Sequence, residues 1–473
     1  MDLRQKTLKG FFWSGVAQAG KQGGQYFITI LLASLLAPVD FGLLAMAMVF
    51  MNFANVFSDL GISAALIQKQ DVEARHFSSA FWLNVGVGIL LTLVCMASAP
   101  LIAHFYRKPE LAAIIIVVST NFFLASLCII QQTVLTREME FRKLAIKDLI
   151  GLFSSGALGV YLAYHGFGVW SLVYQLLSFS SINIIVLWSL SSWRPRFHFS
   201  ITDFRDIFKF SANMTAFNII NYFARNTDQL VIGKALGPQL LGIYSLAYKV
   251  MLYPLQNISA VITKVLFPVF SKIQSEYERI KNAYVTMIRV ISLITFPLMA
   301  GLFILAPELV RYVLGPKWEP AVILIRIFCL TGAVQSITAN VGNIIISQGR
   351  ADLQLKLGVM GAVVVIIAIV SGIWWGIVGI AVAYTVETVL FGMYLILVSN
   401  ALIKLEPKRY FSSLYTSVLV AVLMAGALAA LKAIFPINNV IQLVYSCMVG
   451  LGIYFGILYF TGVIAEFRQR LAE

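Results

Sequence analysis

The sequence predicts an all-α polytopic membrane protein with about 14 transmembrane helices. These form two six-helix lobes related by a pseudo-two-fold axis along the membrane normal, followed by two C-terminal helices. Composition is the first reason. Of 473 residues, 60% are hydrophobic and only 12% are charged, with a mean hydropathy of +0.86. Soluble domains rarely approach that balance. The second reason is length, because a helix needs about 20 apolar residues to cross the hydrocarbon core. Such runs cover 11–36, 42–66, 79–104, 111–134, 146–164 and 168–190, then 210–236, 242–268, 285–306, 320–346, 357–375 and 378–399, and finally 411–431 and 440–463. The third reason is an internal repeat offset by 200 residues.

Basic residues orient these spans. With the N-terminus in the cytoplasm, the inner loops hold 24 Lys and Arg, Lys147 among them. The outer loops hold five (Arg107, Lys108, Arg311, Lys317 and Lys432), and six lie within spans. A miscounted helix would invert every later loop and spoil this positive-inside asymmetry. Both termini are therefore expected in the cytoplasm. The net charge of +14 is mostly topological, is favoured by anionic lipid headgroups and implies no nucleic-acid partner. Cys95, Cys128, Cys329 and Cys447 lie in apolar segments without metal-ligand spacing, so neither a metal nor a cofactor is expected. Lys21 and Gln22 interrupt the first apolar run and no small-residue cleavage site follows it, which argues against a cleavable signal.

The repeat carries the chemistry. Gln18, Lys21, Gln22 and Gln25 fall on one helical face of span one, and Asn218, Asn221, Tyr222 and Arg225 repeat that spacing in span seven. Both spans end in a Pro–Gly turn, Leu36-Ala-Pro38-Val-Asp-Phe-Gly42 and Leu236-Gly-Pro238-Gln-Leu-Leu-Gly242. Ala47/Ala247 and Met51/Met251 keep the offset, and later the register drifts by about a dozen residues, where Arg137-Glu-Met-Glu140-Phe echoes Gly349-Arg-Ala-Asp352-Leu. A charge near the bilayer centre costs roughly 2.5–3.5 kcal/mol, so polar faces at that depth are expected to line a wet cavity. The expected organisation is a first lobe at 1–190, a cytoplasmic connector at 191–209 read as a hinge strap, a second lobe at 210–405, and two further helices with a tail at 406–473.

The turn motifs also carry a family resemblance. Lys6-Thr-Leu-Lys-Gly-Phe-Phe-Trp13-Ser, Pro38-Val-Asp-Phe-Gly-Leu43 and Phe57-Ser-Asp-Leu-Gly-Ile-Ser-Ala-Ala-Leu-Ile-Gln68 lie in the first half. Ile232-Gly-Lys-Ala-Leu-Gly237, Gly242-Ile-Tyr-Ser-Leu-Ala-Tyr248, Leu266-Phe-Pro-Val-Phe270, Gly315-Pro-Lys-Trp318 and Gly349-Arg-Ala-Asp352 follow in order. In this order the chain resembles the polysaccharide exporters of the multidrug/oligosaccharidyl-lipid/polysaccharide superfamily, and is most similar to the colanic acid exporter branch. The resemblance implies a flippase in the bacterial inner membrane, moving undecaprenyl-diphosphate-linked repeat units to the periplasmic leaflet. It departs from many relatives at Ser34, where they place an arginine; the matching repeat position is Lys234.

A lipid diphosphate needs cations in a water-accessible cavity, and Arg and Lys suit phosphate. The expected cargo contacts are Lys21, Gln25, Asn221, Arg225, Asp228, Lys249 and Arg326, with Asp228 as the helical neighbour of Arg225. Arg225 and Asp228 also have a structural reading as a mutually neutralising pair. Glu387, alone at the middle of span twelve, and Asp59 on span two are the acids available for proton or sodium coupling. Tyr26, Tyr222, Tyr244, Tyr248 and Tyr253 offer rings to sugars or fill helix interfaces. Expected partners are the lipid-linked oligosaccharide, membrane lipids, and the polymerase and chain-length regulator of the same pathway. Two alternatives compete: a multidrug extruder, which calls for acids in the cavity, and a membrane glycan polymerase or transferase. The short loops and the absence of an Asp/Glu/His constellation count against the enzyme.

Overall fold

The computed structural model describes residues 3–58, 62–68, 73–197, 222, 226–252, 254–255 and 276–460. The described residues are predominantly helical, 191–197 being non-helical, and the protein divides into two compact units, 1–242 and 243–473. Among the described residues, ten helical runs are long and apolar enough to cross a membrane, and two of them, 321–347 and 352–402, each contain two α-helices. Much of the expected spans seven and eight lies outside the described residues.

The first unit contains α1 (Leu3–Leu35), α2 (Pro38–Asn55), α3 (Ile62–Gln68), α4 (Ala74–Tyr106), α5 (Glu110–Arg137), α6 (Phe141–Tyr164) and α7 (Val169–Leu190). It also holds α8 (226–236) and the first turn of α9 (238–252). Pro38 opens α2, where a missing N–H costs nothing, and the Asp40 carboxylate accepts the Ala37 N–H at 2.9 Å. Ile28 and Leu32 of α1, with Leu36 just after it, bury against Leu152, Ala163 and Leu172 of α6 and α7. A second core joins Ile62 and Leu66 of α3 to Phe81 and Val85 of α4 and Ile130 and Val134 of α5.

The apolar run 42–66 is not one helix. α2 stops at Asn55, whose carbonyl and side-chain oxygens both accept the Ser58 hydroxyl, at 2.8 and 2.9 Å. Such local bonds compete with the helical ladder. Hydropathy reads through the break because the flanking residues stay apolar.

The two repeat turns meet inside this unit. A Cβ on Gly42 would lie 1.7 Å from the Pro238 carbonyl oxygen, and one on Gly242 would lie 1.8 Å from the Pro38 carbonyl oxygen. Each glycine thus sits under the other turn's proline, a reciprocal contact of the kind two-fold symmetry produces. Only a residue without a side chain admits that approach.

The second unit contains the rest of α9, then α10 (Tyr277–Leu309), α11 (Ala321–Thr338), α12 (Val341–Ser347), α13 (Ala351–Gly372), α14 (Gly376–Leu402), α15 (Pro407–Ile434) and α16 (Val440–Phe460). Here too a predicted span is broken: 320–346 divides into α11 and α12 at the buried Asn340, whose side-chain oxygen accepts the Asn343 amide at 3.3 Å. Ile280, Tyr284, Met287, Ile288 and Ile291 of α10 form the core with residues of α11 to α15. Helix α15 packs along α10, and α16 touches both, with Leu458 against Leu293 and Val420 and the Tyr454 hydroxyl donating to the Leu293 carbonyl at 2.9 Å.

The helix pairing repeats between units. Contacts α4/α5, α5/α7 and α6/α7 in the first correspond to α10/α11, α11/α14 and α13/α14 in the second. Left-handed residues follow the same scheme. Arg107 (φ 55°) after α4 matches Gly315 (φ 95°) after α10, and Met139 (φ 59°) after α5 matches Gly349 (φ 71°) after α12. The late echo is therefore registered on Met139 and Gly349, an offset of 210 residues.

Candidate functional site

Helices α1 and α6 touch through glycines. A Cβ on Gly24 would come within 2.8 Å of Leu152, and one on Gly156 within 2.2 Å of Ile28. Small residues at such seams let helix backbones approach closely. That seam brings Lys21 to Asp148. The Lys21 ammonium lies 3.2 Å from Asp148 Oδ2, while Lys147 lies 2.8 Å from Asp148 Oδ1. Lys147 also donates to Gln132 Oε1 of α5 at 3.2 Å. Two ammonium groups therefore share one carboxylate, leaving the cluster net positive. Its exposure is graded: the Lys21 side chain is 42% exposed, Asp148 23% and Lys147 8%. Lys21 lies 14 residues from the Leu35 end of α1, about 21 Å along the helix axis.

Sequence reasoning missed Asp148 and misplaced Lys147. Lys147 is not a loop cation; it is buried in the second turn of α6. The available signal was an adjacent Lys–Asp dyad within an apolar run, together with Gly20 and Gly24 at helix-seam spacing in α1.

The other first-unit residues divide in two. Gln25, one turn along α1 from Lys21, is half-buried. Asp228 is buried in α8, where its Oδ1 accepts the Gln229 N–H at 2.8 Å. Asn221, Arg225 and Asp59 lie outside the described residues, as does any pairing of Arg225 with Asp228. Tyr222 donates its hydroxyl to the Val49 carbonyl and packs 5.8 Å from the Phe53 ring, so it ties helices together. Lys234 donates to the Phe105 carbonyl and lies 4.4 Å above the Phe105 ring. It caps the C-terminal end of α4, where a cation suits the helix dipole.

In the second unit, Lys249 is exposed on α9. Beside it, Tyr248 stacks parallel to the buried Tyr244 at 6.3 Å. The Tyr248 and Tyr384 hydroxyls are 3.3 Å apart, and the Gln335 amide donates to Tyr384 at 2.9 Å. Glu387, one turn along α14 from Tyr384, is buried and accepts the Thr388 hydroxyl at 3.4 Å. Arg326 donates to the Phe303 carbonyl at 3.3 Å and lies 5.5 Å over that ring, tying α11 to α10. No group of three or more His, Cys, Asp or Glu that could hold a metal occurs among the described residues.

A family model described as a polysaccharide biosynthesis protein matches residues 31–323. The chain belongs to that family. It is 29% identical over 374 residues to the lipopolysaccharide biosynthesis protein WzxC of Escherichia coli (strain K12), covering 79% of this chain and 76% of that one. It is 31% identical over 306 residues to the teichuronic acid biosynthesis protein TuaB of Bacillus subtilis (strain 168), covering 64% and 63% respectively. Its fold is that of a solved lipid II flippase, MurJ, in an inward closed conformation, with a TM-score of 0.77 at 15% identity over 98% of this chain and all of the other. The resemblance read from the turn motifs agrees with this membership, and the many apolar helices make the chain a multi-pass membrane protein.

Proposed function

We propose that this protein is a flippase, not an enzyme, and that it carries undecaprenyl-diphosphate-linked exopolysaccharide repeat units across the bacterial inner membrane. The observation that carries the reading is the net positive Lys21–Asp148–Lys147 cluster, held between α1, α5 and α6 of a polysaccharide biosynthesis family member. A cation kept within a membrane span against a cost of roughly 2.5–3.5 kcal/mol needs an anionic purpose, and a lipid diphosphate supplies one. Lys21 meets the phosphate, joined by Gln25, Asn221, Arg225, Asp228 and Lys249. Arg326, tied to Phe303, serves as a helix brace. The lobes 1–190 and 210–405 expose the cargo's head group first to the cytoplasm, then to the periplasm, while the polyprenyl tail stays in lipid. Both termini are cytoplasmic, and Glu387 or Asp59 takes the coupling proton or sodium ion. Basic groups outnumber acids within the spans, which favours this cargo over the cationic drugs of a multidrug extruder.

The test is complementation of an exporter-null strain by Lys21→Ala and Arg225→Ala at matched membrane levels. Loss of surface polysaccharide, with lipid-linked repeat units accumulating on the cytoplasmic side, is the expected result. Full export by both variants would overturn the reading.

A further inference from the structure

Resting on that reading, we propose that Asp148 is the release partner of the phosphate-binding site: it takes the Lys21 ammonium whenever the cargo's anionic head is absent and gives it up when the head arrives. Three features carry this. The two lysines bind different oxygens of Asp148, Lys21 on Oδ2 at 3.2 Å and Lys147 on Oδ1 at 2.8 Å. Lys21 can therefore leave without stripping the carboxylate of its partner. Lys147 is buried and anchored a second time by Gln132 at 3.2 Å, so it stays while Lys21 moves. Lys21 is the half-exposed member at the end of a flexible stem, and its contact is the longer of the two.

The arrangement solves a problem that every carrier of a charged head group faces. The site must return across the membrane empty, and a lone ammonium within a membrane span is penalised. A bare ammonium would also hold phosphate too well to let it go. Asp148 pairs with Lys21 on the return and competes with the phosphate for it, while Lys147 keeps Asp148 from becoming an unpaired, half-buried anion once cargo has taken Lys21. Asp148 acts through Lys21 and is a positioning residue.

The test uses the full-length protein in nanodiscs with farnesyl diphosphate as probe, its affinity and dissociation rate measured in a double-mutant cycle. Asp148→Asn is expected to bind the probe about tenfold more tightly, to release it more slowly and to export less polysaccharide. Lys21→Met weakens binding, and adding Asp148→Asn to it changes affinity by less than about twofold, because the competition needs Lys21. Lys147→Met is the second variant, for the case that Asp148→Asn does not fold. With Asp148 held by Lys21 alone, the probe binds more weakly. A folded Asp148→Asn that binds no tighter overturns the proposal, and so does a gain that persists without Lys21, which would be a field effect. If Lys21→Met itself leaves probe affinity unchanged, it is the phosphate reading of Lys21 that fails, and the release role falls with it.

Discussion

The contact between the two repeat turns makes the sharpest structural prediction. Gly42→Ala would place a methyl carbon 1.7 Å from the Pro238 carbonyl oxygen, where real contacts stop at about 3.0 Å. The obstacle is backbone, so no side-chain rotation relieves it, and the turns must part by about 1.3 Å. Overpacking of this kind costs roughly 1–3 kcal/mol, which is a 5- to 150-fold loss in the population of the closed contact. Gly242→Ala meets the Pro38 carbonyl at 1.8 Å and should behave alike. Gly23→Ala, with no heavy atom within 4 Å, is the matched control. The assay is thermal unfolding of the detergent-solubilised protein, together with disulfide trapping of a cysteine pair introduced at Val39 and Gln239. Both turn variants should unfold at lower temperature and trap more slowly, while Gly23→Ala matches the parent. If Gly42→Ala traps and melts like the parent, the reciprocal contact is not a real constraint on the chain.

Three further outcomes follow from single contacts. Lys234→Met removes the cation from the C-terminal end of α4 and should lower thermal stability by about 0.3–1 kcal/mol while export persists. Lost export at unchanged stability would make Lys234 a cargo residue instead. Arg194 donates to the carbonyls of Ser191, Trp193 and Trp188 at 2.6, 2.8 and 2.7 Å. Arg194→Ala should therefore cost about 1–2 kcal/mol of stability and speed proteolytic cleavage near Phe197, and unchanged cleavage would count against that docking. Glu387→Gln should keep normal protein levels and abolish any dependence of vesicle transport on a proton or sodium gradient; retained dependence would remove Glu387 from coupling.

The connector illustrates what sequence reading reaches and where it stops. A hinge strap was expected over 191–209, but its first residues are held to the first unit. Trp82 donates to the Arg196 carbonyl at 2.9 Å, the Arg196 N–H donates to Ser78 at 3.1 Å, and Gln131 reaches the Trp193 carbonyl at 3.3 Å. The rest of the connector, 198–209, lies outside the described residues. The partners that hold its first residues are as far as 118 residues away along the chain.

Membrane class, the recurrence of bilayer-length helices, the 200-residue repeat and its Pro–Gly turns were all legible in the sequence. Each follows from local sums or spacings: apolar transfer energy accumulates residue by residue, and a turn needs only its own few residues. Lys21 was legible for the same reason, as a charge standing out in an apolar run. What the turns touch and what pairs with Lys21 were decided by tertiary structure, whereas the breaks in spans two and ten are local but hidden from hydropathy. The breaks depend on single Asn side chains that hydropathy averages away. The ion pair joins residues 127 positions apart and exists because glycines let α1 and α6 approach, a fact of packing that no local window contains.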